Sequence, residues 1–222
     1  MASREIEKKR KEEKILIKRK KLNLSPSPTI LIVCEGKNTE TSYFSQIQVR
    51  GVTIDSIGVG YNTVSLVRKA EELAALHAYD EVWCVFDKDD FSPHDFNNAI
   101  HMAEKKHMHA VYSNQAFEFW LILLFNDHQG GALHRSRYNK MLNEELQLYG
   151  VLYDGEGCKV ITQELFNLMV AKDPKTGKKR NELAIERAER IYERLDHCSP
   201  AMEELSTTVY MLMKHLMGFS RY

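Results

Sequence analysis

The sequence predicts an α/β protein: a four-stranded parallel sheet followed by a helical C-terminal extension. Three observations carry this. Four short apolar runs alternate with stretches of helical spacing up to about residue 126. The first run, Ile30-Leu31-Ile32-Val33-Cys34, is apolar without a break, as a strand buried on both faces must be. Beyond residue 126 strand signals nearly vanish and helical spacing takes over. At 222 residues the chain is long enough to bury a real core.

Taken in order, Ser25-Pro26-Ser27-Pro28 is a short stiff spacer, which divides a basic arm and linker (1–28) from the sheet domain (29–126). Glu35-Gly36 ends the first strand, and Gly36 allows a sharp turn. Thr39 and the polar residues after it open a helix carrying Tyr43, Phe44 and Ile47. Val52, Ile54, Ile57 and Val59 mark a second strand, and Val64, Val67, Ala70, Leu73, Ala74 and Leu76 a helix from Thr63 to Ala78. Glu81 to Phe86 is the third strand, stopped by Asp87-Lys88-Asp89-Asp90. Ser92-Pro93 starts a helix running to about Lys106, because proline suits a first helical turn. Met108 to Tyr112 is the fourth strand, and Gln115 to Phe125 a nearly all-apolar helix. Four such βα units imply parallel strands joined by right-handed crossovers. In the extension (127–222), helices are expected over 138–149, 161–171, 181–195 and 202–217, packed on the sheet domain.

Lys/Arg and Asp/Glu balance at 31 each, but unevenly: residues 1–21 hold ten Lys/Arg against four Glu, so the body is acidic. Such an arm reads equally as a phosphate-binding segment or a solvated tail. The four cysteines form no CxxC pair, which excludes a zinc ribbon, and Cys34 and Cys84 read as reduced core thiols. The N-terminus is charged and has no apolar signal region, and the run Phe119–Phe125 is far short of a membrane span. A cytoplasmic protein with no membrane association is expected.

The chemistry gathers at strand ends. If strands one and three are neighbours, Glu35 and Asp87 emerge side by side on the carboxyl edge, where α/β sheets bind ligands. Asp89, two residues on in an extended turn, points the same way as Asp87. Converging carboxylates repel one another unless a cation neutralises them, and oxygen ligands of this kind select Mg²⁺ or Mn²⁺ rather than zinc. A carboxylate-held Mg²⁺ with open positions suits phosphate-ester chemistry. Alone, Asp87-Lys88-Asp89 also reads as a turn and helix cap; Glu35 after the first strand is what strengthens the metal reading.

With Glu35 after the first strand and Asp87-Lys88-Asp89 after the third, the sequence resembles the Toprim family of metal-dependent nucleic-acid enzymes, a Rossmann-like fold. More narrowly, CEGKNTETSYF, VFDKDD and SNQAFEFWLILLF resemble the RloB-like family, whose members share a CEG-x-x-TE-x-x-YF start and an SNP-x-FE-x-W-L segment. The likeness covers roughly residues 29–126, and STTVYMLMKHL (206–216) more loosely. Gln115 and Ala116 depart from the SNP segment, and Leu124 stands where His is frequent. The resemblance implies a Mg²⁺-dependent nuclease acting on DNA or on RNA such as tRNA. It also implies an anti-phage setting, restriction or abortive infection, with an ATPase partner encoded nearby. It assigns Glu35 as general acid/base and Asp87 and Asp89 as metal ligands. Glu40 matches the family's TE glutamate, and reads either as a ligand or as compensation of the helix N-terminal dipole. Glu118, inside an apolar run, needs a metal or a basic core partner.

Other signals carry less. Gly36-Lys37-Asn38-Thr39 lacks the upstream glycine of a phosphate loop, His101, His107 and His109 are not at helical ligand spacing, and Met211, Met213 and Met217 read as helix core. Two other classes of function stand beside the nuclease. A receiver-like phosphoacceptor regulator would modify Asp87, but wants an acidic pair after strand one. A non-catalytic subunit would bind nucleic acid or a partner through the basic arm. The sequence also permits a homo-oligomer.

Overall fold

The computed structural model describes residues 27–89, 92–128 and 133–219, so the basic arm expected over residues 1–21 lies outside the described residues. The strands are β1 (Thr29–Cys34), β2 (Thr53–Gly58), β3 (Glu81–Asp87) and β4 (His109–Ser113). They form one sheet in the order β2-β1-β3-β4, every pair parallel. This is the four-stranded parallel sheet the sequence predicts.

Between the strands lie α1 (Thr39–Phe44), α2 (Thr63–Leu76) and α3 (Pro93–Lys105). After β4 the chain passes through a cis Asn114–Gln115 peptide into α4 (Glu118–Leu123). The C-terminal half adds α5 (Tyr138–Leu146), α6 (Gln163–Val170), α7 (Arg180–Tyr192) and α8 (Val209–Gly218), with short 3₁₀ turns at Arg135–Arg137, Gln147–Tyr149 and Pro200–Met202.

The period-two alternation of a strand sends successive side chains of β1 to opposite faces. Leu31 and Val33, with Cys84 and Phe86 of β3, pack beneath α2 and α3, against Leu66, Val67, Phe96 and Ile100. Ile30, Ile32 and Cys34, with Val85 and Val111, face α1, α4 and the C-terminal helices, through Tyr43, Phe117, Trp120, Leu142, Leu165 and Leu212. One apolar core thus runs from the sheet into the C-terminal half. Cys34 is a buried free thiol within it, and Cys84 is buried and free in the cluster on the other face of the sheet.

The last expected helix starts late. Apolar spacing through Met202, Leu205 and Val209 predicts a helix over 202–217, yet α8 begins at Val209. Residues 206–208 instead run beside β4, with Ser113 bridged antiparallel to Thr207. Thr208 N donates to Tyr112 O at 2.8 Å, Tyr112 N donates to Thr208 Oγ1 at 2.8 Å, and Asn114 N donates to Ser206 O at 2.8 Å. Side-chain hydroxyls offer the backbone an alternative to helix, and here they cover the free edge of the outer strand.

Among the described residues no helix is long and apolar enough to cross a membrane.

Candidate active site

In this strand order the connections from β1 and β3 leave in opposite directions, which opens a crevice between them at the carboxyl edge. Two carboxylates enter it directly. Glu35 extends β1 by one ladder bond, its N–H donating to Val85 O at 2.9 Å. Asp87 ends β3 opposite Ser113, and its N–H donates to Glu35 Oε2 at 3.4 Å.

The turn after Glu35 is held by close approach. A Cβ on Gly36 would stand 2.0 Å from Glu40 Oε2, and one on Gly58 would meet Lys37 Cα at 2.5 Å and Gly36 O at 2.6 Å. Without those side chains the loop lies against the end of β2, Gly36 N donates to Glu40 Oε1 at 3.1 Å, and Thr41 Oγ1 donates to Gly36 O at 2.8 Å. Glu40, in the first turn of α1, is thereby buried and aimed back at the end of β1. Its bond to the Gly36 N–H is local bracing, and it does not take the carboxylate out of the site.

Glu118 enters from the first turn of α4. Its partner is neither Arg nor Lys: Tyr153 Oη donates to Glu118 Oε1 at 2.9 Å. Tyr153 Oη also lies 2.9 Å from Thr39 Oγ1, which donates to Lys159 O at 3.0 Å, and Asn38 Nδ2 donates to Cys158 O at 3.0 Å. These bonds pin the 153–159 loop onto the start of α1. Lys159 is held there at φ 54°, in the left-handed region that a non-glycine residue seldom adopts.

Glu35, Glu40, Asp87, Asp89 and Glu118 all line one recess of about 190 Å³, together with Lys37, Arg135 and Lys159. Asp89 is the exception in posture, because it is ion-paired with Arg135. Beside it, the buried Lys88 turns its ammonium onto Asp89 O at 2.9 Å. A larger groove of about 560 Å³, between the segment after α1, α6 and α8, is lined by no Asp, Glu or His.

The electrostatics follow from this crowding. Burial raises the Glu35 carboxyl to about 7; Glu40 adds to the rise, while the Asp87 N–H and Arg135 oppose it. Burial also raises Asp87 well above the ordinary carboxylate range, reinforced by Glu40, Glu118 and Glu35 and opposed by Arg135. Glu40 is raised by burial and by Glu118, with its Gly36 bond and Lys159 opposing. Glu35, Glu40 and Asp87 thus resist ionising, first because they are buried and then because the recess sets five carboxyl groups against Lys37, Arg135 and Lys159.

A divalent cation fits this donor set chemically. All the acidic groups are oxygen donors, they belong to a recess short of positive charge, and hard ions such as Mg²⁺ or Mn²⁺ prefer them. Among the described residues, however, no group of three or more His, Cys, Asp or Glu already stands as a metal-binding cluster. A cation would have to draw the carboxylates together, and Asp89 would have to leave Arg135.

Sequence reasoning missed Arg135, Lys159, Tyr153 and Tyr138, all from the C-terminal half. Tyr138 is buried at the start of α5, and its hydroxyl, raised to about 12 chiefly by burial, stays protonated near Asp87 and Glu118. Gln115 also takes part, since Arg135 N donates to Gln115 Oε1 at 2.8 Å. No spacing links these positions to Glu35; the Arg135-Ser136-Arg137 triplet was the one local signal available.

No curated protein and no solved structure matches the chain. The family model described as RloB-like protein matches residues 30–216, a span that takes in all five carboxylates and the cations facing them. The chain belongs to the RloB-like family.

Proposed function

We propose that this chain is a Mg²⁺- or Mn²⁺-dependent nuclease of Toprim type that cleaves phosphodiester bonds in DNA or RNA. We further propose that it is the effector of a bacterial anti-phage system, working beside an ATPase partner. The single observation that carries the catalytic reading is the meeting of Glu35, Glu40, Asp87 and Glu118, from four separate elements, in one recess rimmed by Arg135 and Lys159. The defence setting and the ATPase rest on the family resemblance alone.

Asp87, Glu40 and Glu118 would hold the cation, with Asp89 joining once released from Arg135. When bound, the ion supplies Lewis acidity and an activated water. Glu35 then moves protons: its Oε2 is fixed by the Asp87 N–H, which leaves Oε1 to take or give the proton. Without a cation, burial holds this carboxyl near 7, and the charge of a bound cation would favour its ionised form, the form a general base needs. Arg135 and Lys159 bind the phosphate and offset the charge that develops on it. Tyr153 orients Glu118 through its hydroxyl.

The test is to incubate the purified protein with Mg²⁺ or Mn²⁺ and plasmid, single-stranded DNA or total tRNA, with and without the neighbouring ATPase. The reading expects cleavage of at least one substrate, abolished by a chelator and by Glu35→Gln. Intact substrates in every arm would refute it.

A further inference from the structure

A second cavity, of about 330 Å³, adjoins the carboxylate recess and shares Glu118, Arg135 and Lys159 with it. It is larger than the recess, and Tyr138 and Asn139 line it as well. The Tyr138 side chain is 1% exposed; the Gln115 backbone N–H approaches its oxygen, but among the described residues its hydroxyl proton has no acceptor. A buried, unsatisfied hydroxyl is costly, and one set in the wall of a polar cavity calls for a partner from outside the chain. Asn139 adds a donor, because its Oδ1 already accepts from Asn143 Nδ2 at 3.0 Å and its own amide NH₂ is left to give.

The donors match one chemistry. A phosphodiester presents acceptor oxygens and a negative charge, and this cavity offers an arginine, a lysine, a phenol and an amide. Two acids line the cavity as well: Glu118, in the wall shared with the recess, already accepts from Tyr153, and Glu156 is exposed. Two adjoining pockets with cations in common suit a chain of repeating phosphates better than a single phosphomonoester. The cavity volume is also within the range that holds a small organic group.

We propose that this cavity seats the nucleotide next to the bond attacked, its phosphate held by Arg135, Lys159 and the Tyr138 hydroxyl, so that the site takes a polynucleotide strand at an internal position. The proposal rests on the nuclease reading for the bond attacked, but the seat itself is tested by binding. Short single strands of DNA and of RNA, made wholly of hydrolysis-resistant phosphorothioate linkages and fluorescently labelled, are titrated in Mg²⁺ against the full chain. Tyr138→Phe and Lys159→Gln are titrated beside it.

Tyr138→Phe removes a hydroxyl that gives its proton to no acceptor in the described chain, so its melting temperature stays close to the wild-type value. Its affinity for the DNA strand, the RNA strand or both falls about tenfold, as loss of a charge-assisted bond does. The KM for a cleavable strand of the same kind rises by a similar factor. Lys159→Gln weakens binding of the same strands. Whichever strand responds identifies the sugar the seat accepts. Equal affinities in wild type and both variants overturn the proposal, as does wild type binding neither strand. Cleavage by wild type with an unchanged KM in Tyr138→Phe would keep the nuclease and remove the seat. Binding that depends on Tyr138, with no cleavage by wild type, would keep the seat and remove the nuclease.

Discussion

Tyr153 joins the two halves of the chain through one hydroxyl, set between Thr39 and Glu118. Tyr153→Phe leaves both without that partner, and Glu118 loses what orients it. A loss of about 1–2 kcal/mol is expected, read as a lower urea midpoint with an unchanged slope. Glu118→Gln is the sharper test of the site, since it keeps the volume and much of the hydrogen bonding but removes the charge. Cleavage should fall about 10- to 100-fold while the melting temperature holds or rises. Full activity in that variant would leave Glu118 a packing residue. The position of Glu118 was legible because a carboxylate inside FEFW is out of place. Its tyrosine partner was not, since nothing near Val151-Leu152-Tyr153 marks a hydroxyl aimed at a residue so far back in the chain.

At the scale of elements, the site depends on how the β1–α1 loop meets the end of β2. Gly58→Ala drives a methyl into the backbone of Lys37 and Gly36, whereas Gly36→Ala meets the movable end of the Glu40 side chain. Gly58→Ala should therefore cost about 1–3 kcal/mol of stability, because the whole loop must shift. Gly36→Ala should cost less stability but displace Glu40, and so lose activity. Chemical denaturation of both variants beside a cleavage assay checks the pair; equal losses of stability would contradict the geometry. The strands and the first helices were legible because short apolar runs and turn residues report local preference. The start of α8 was not. Met202, Leu205 and Val209 carry helical spacing, but Ser206, Thr207 and Thr208 bond to β4, a contact that no local pattern encodes. Thr208→Val, which deprives the buried Tyr112 N–H of its acceptor, should destabilise by about 1–3 kcal/mol.

Across the whole molecule, the recess is assembled from two origins: the sheet half and α4 bring the five carboxylates and Lys37, and the C-terminal half brings Arg135 and Lys159. Reading strand ends finds the first set, because parallel strands place their carboxyl ends on one edge whatever follows. It cannot find the second, whose place is fixed by long-range packing of α5 and the 153–159 loop. The net positive N-terminal arm belongs to the same scale. Deleting residues 1–21 should weaken nucleic-acid binding and flatten its salt dependence while leaving the melting temperature unchanged, and equal salt slopes would free the arm of that role.

The central claim is that the carboxylates at the ends of β1 and β3 await a divalent cation. The most direct measurement is the melting temperature of wild type and Asp87→Asn, with and without Mn²⁺ or Mg²⁺, in a single buffer at neutral pH. A ligand that binds only the native state stabilises it, so the cation should raise the wild-type value by about 2–6 °C. Asp87→Asn removes one of several crowded charges, so it should melt at or above the metal-free wild type and gain little when the cation is added. Wild type and Asp87→Asn that both ignore Mg²⁺ and Mn²⁺, or that both shift equally, would contradict a metal site built on Asp87.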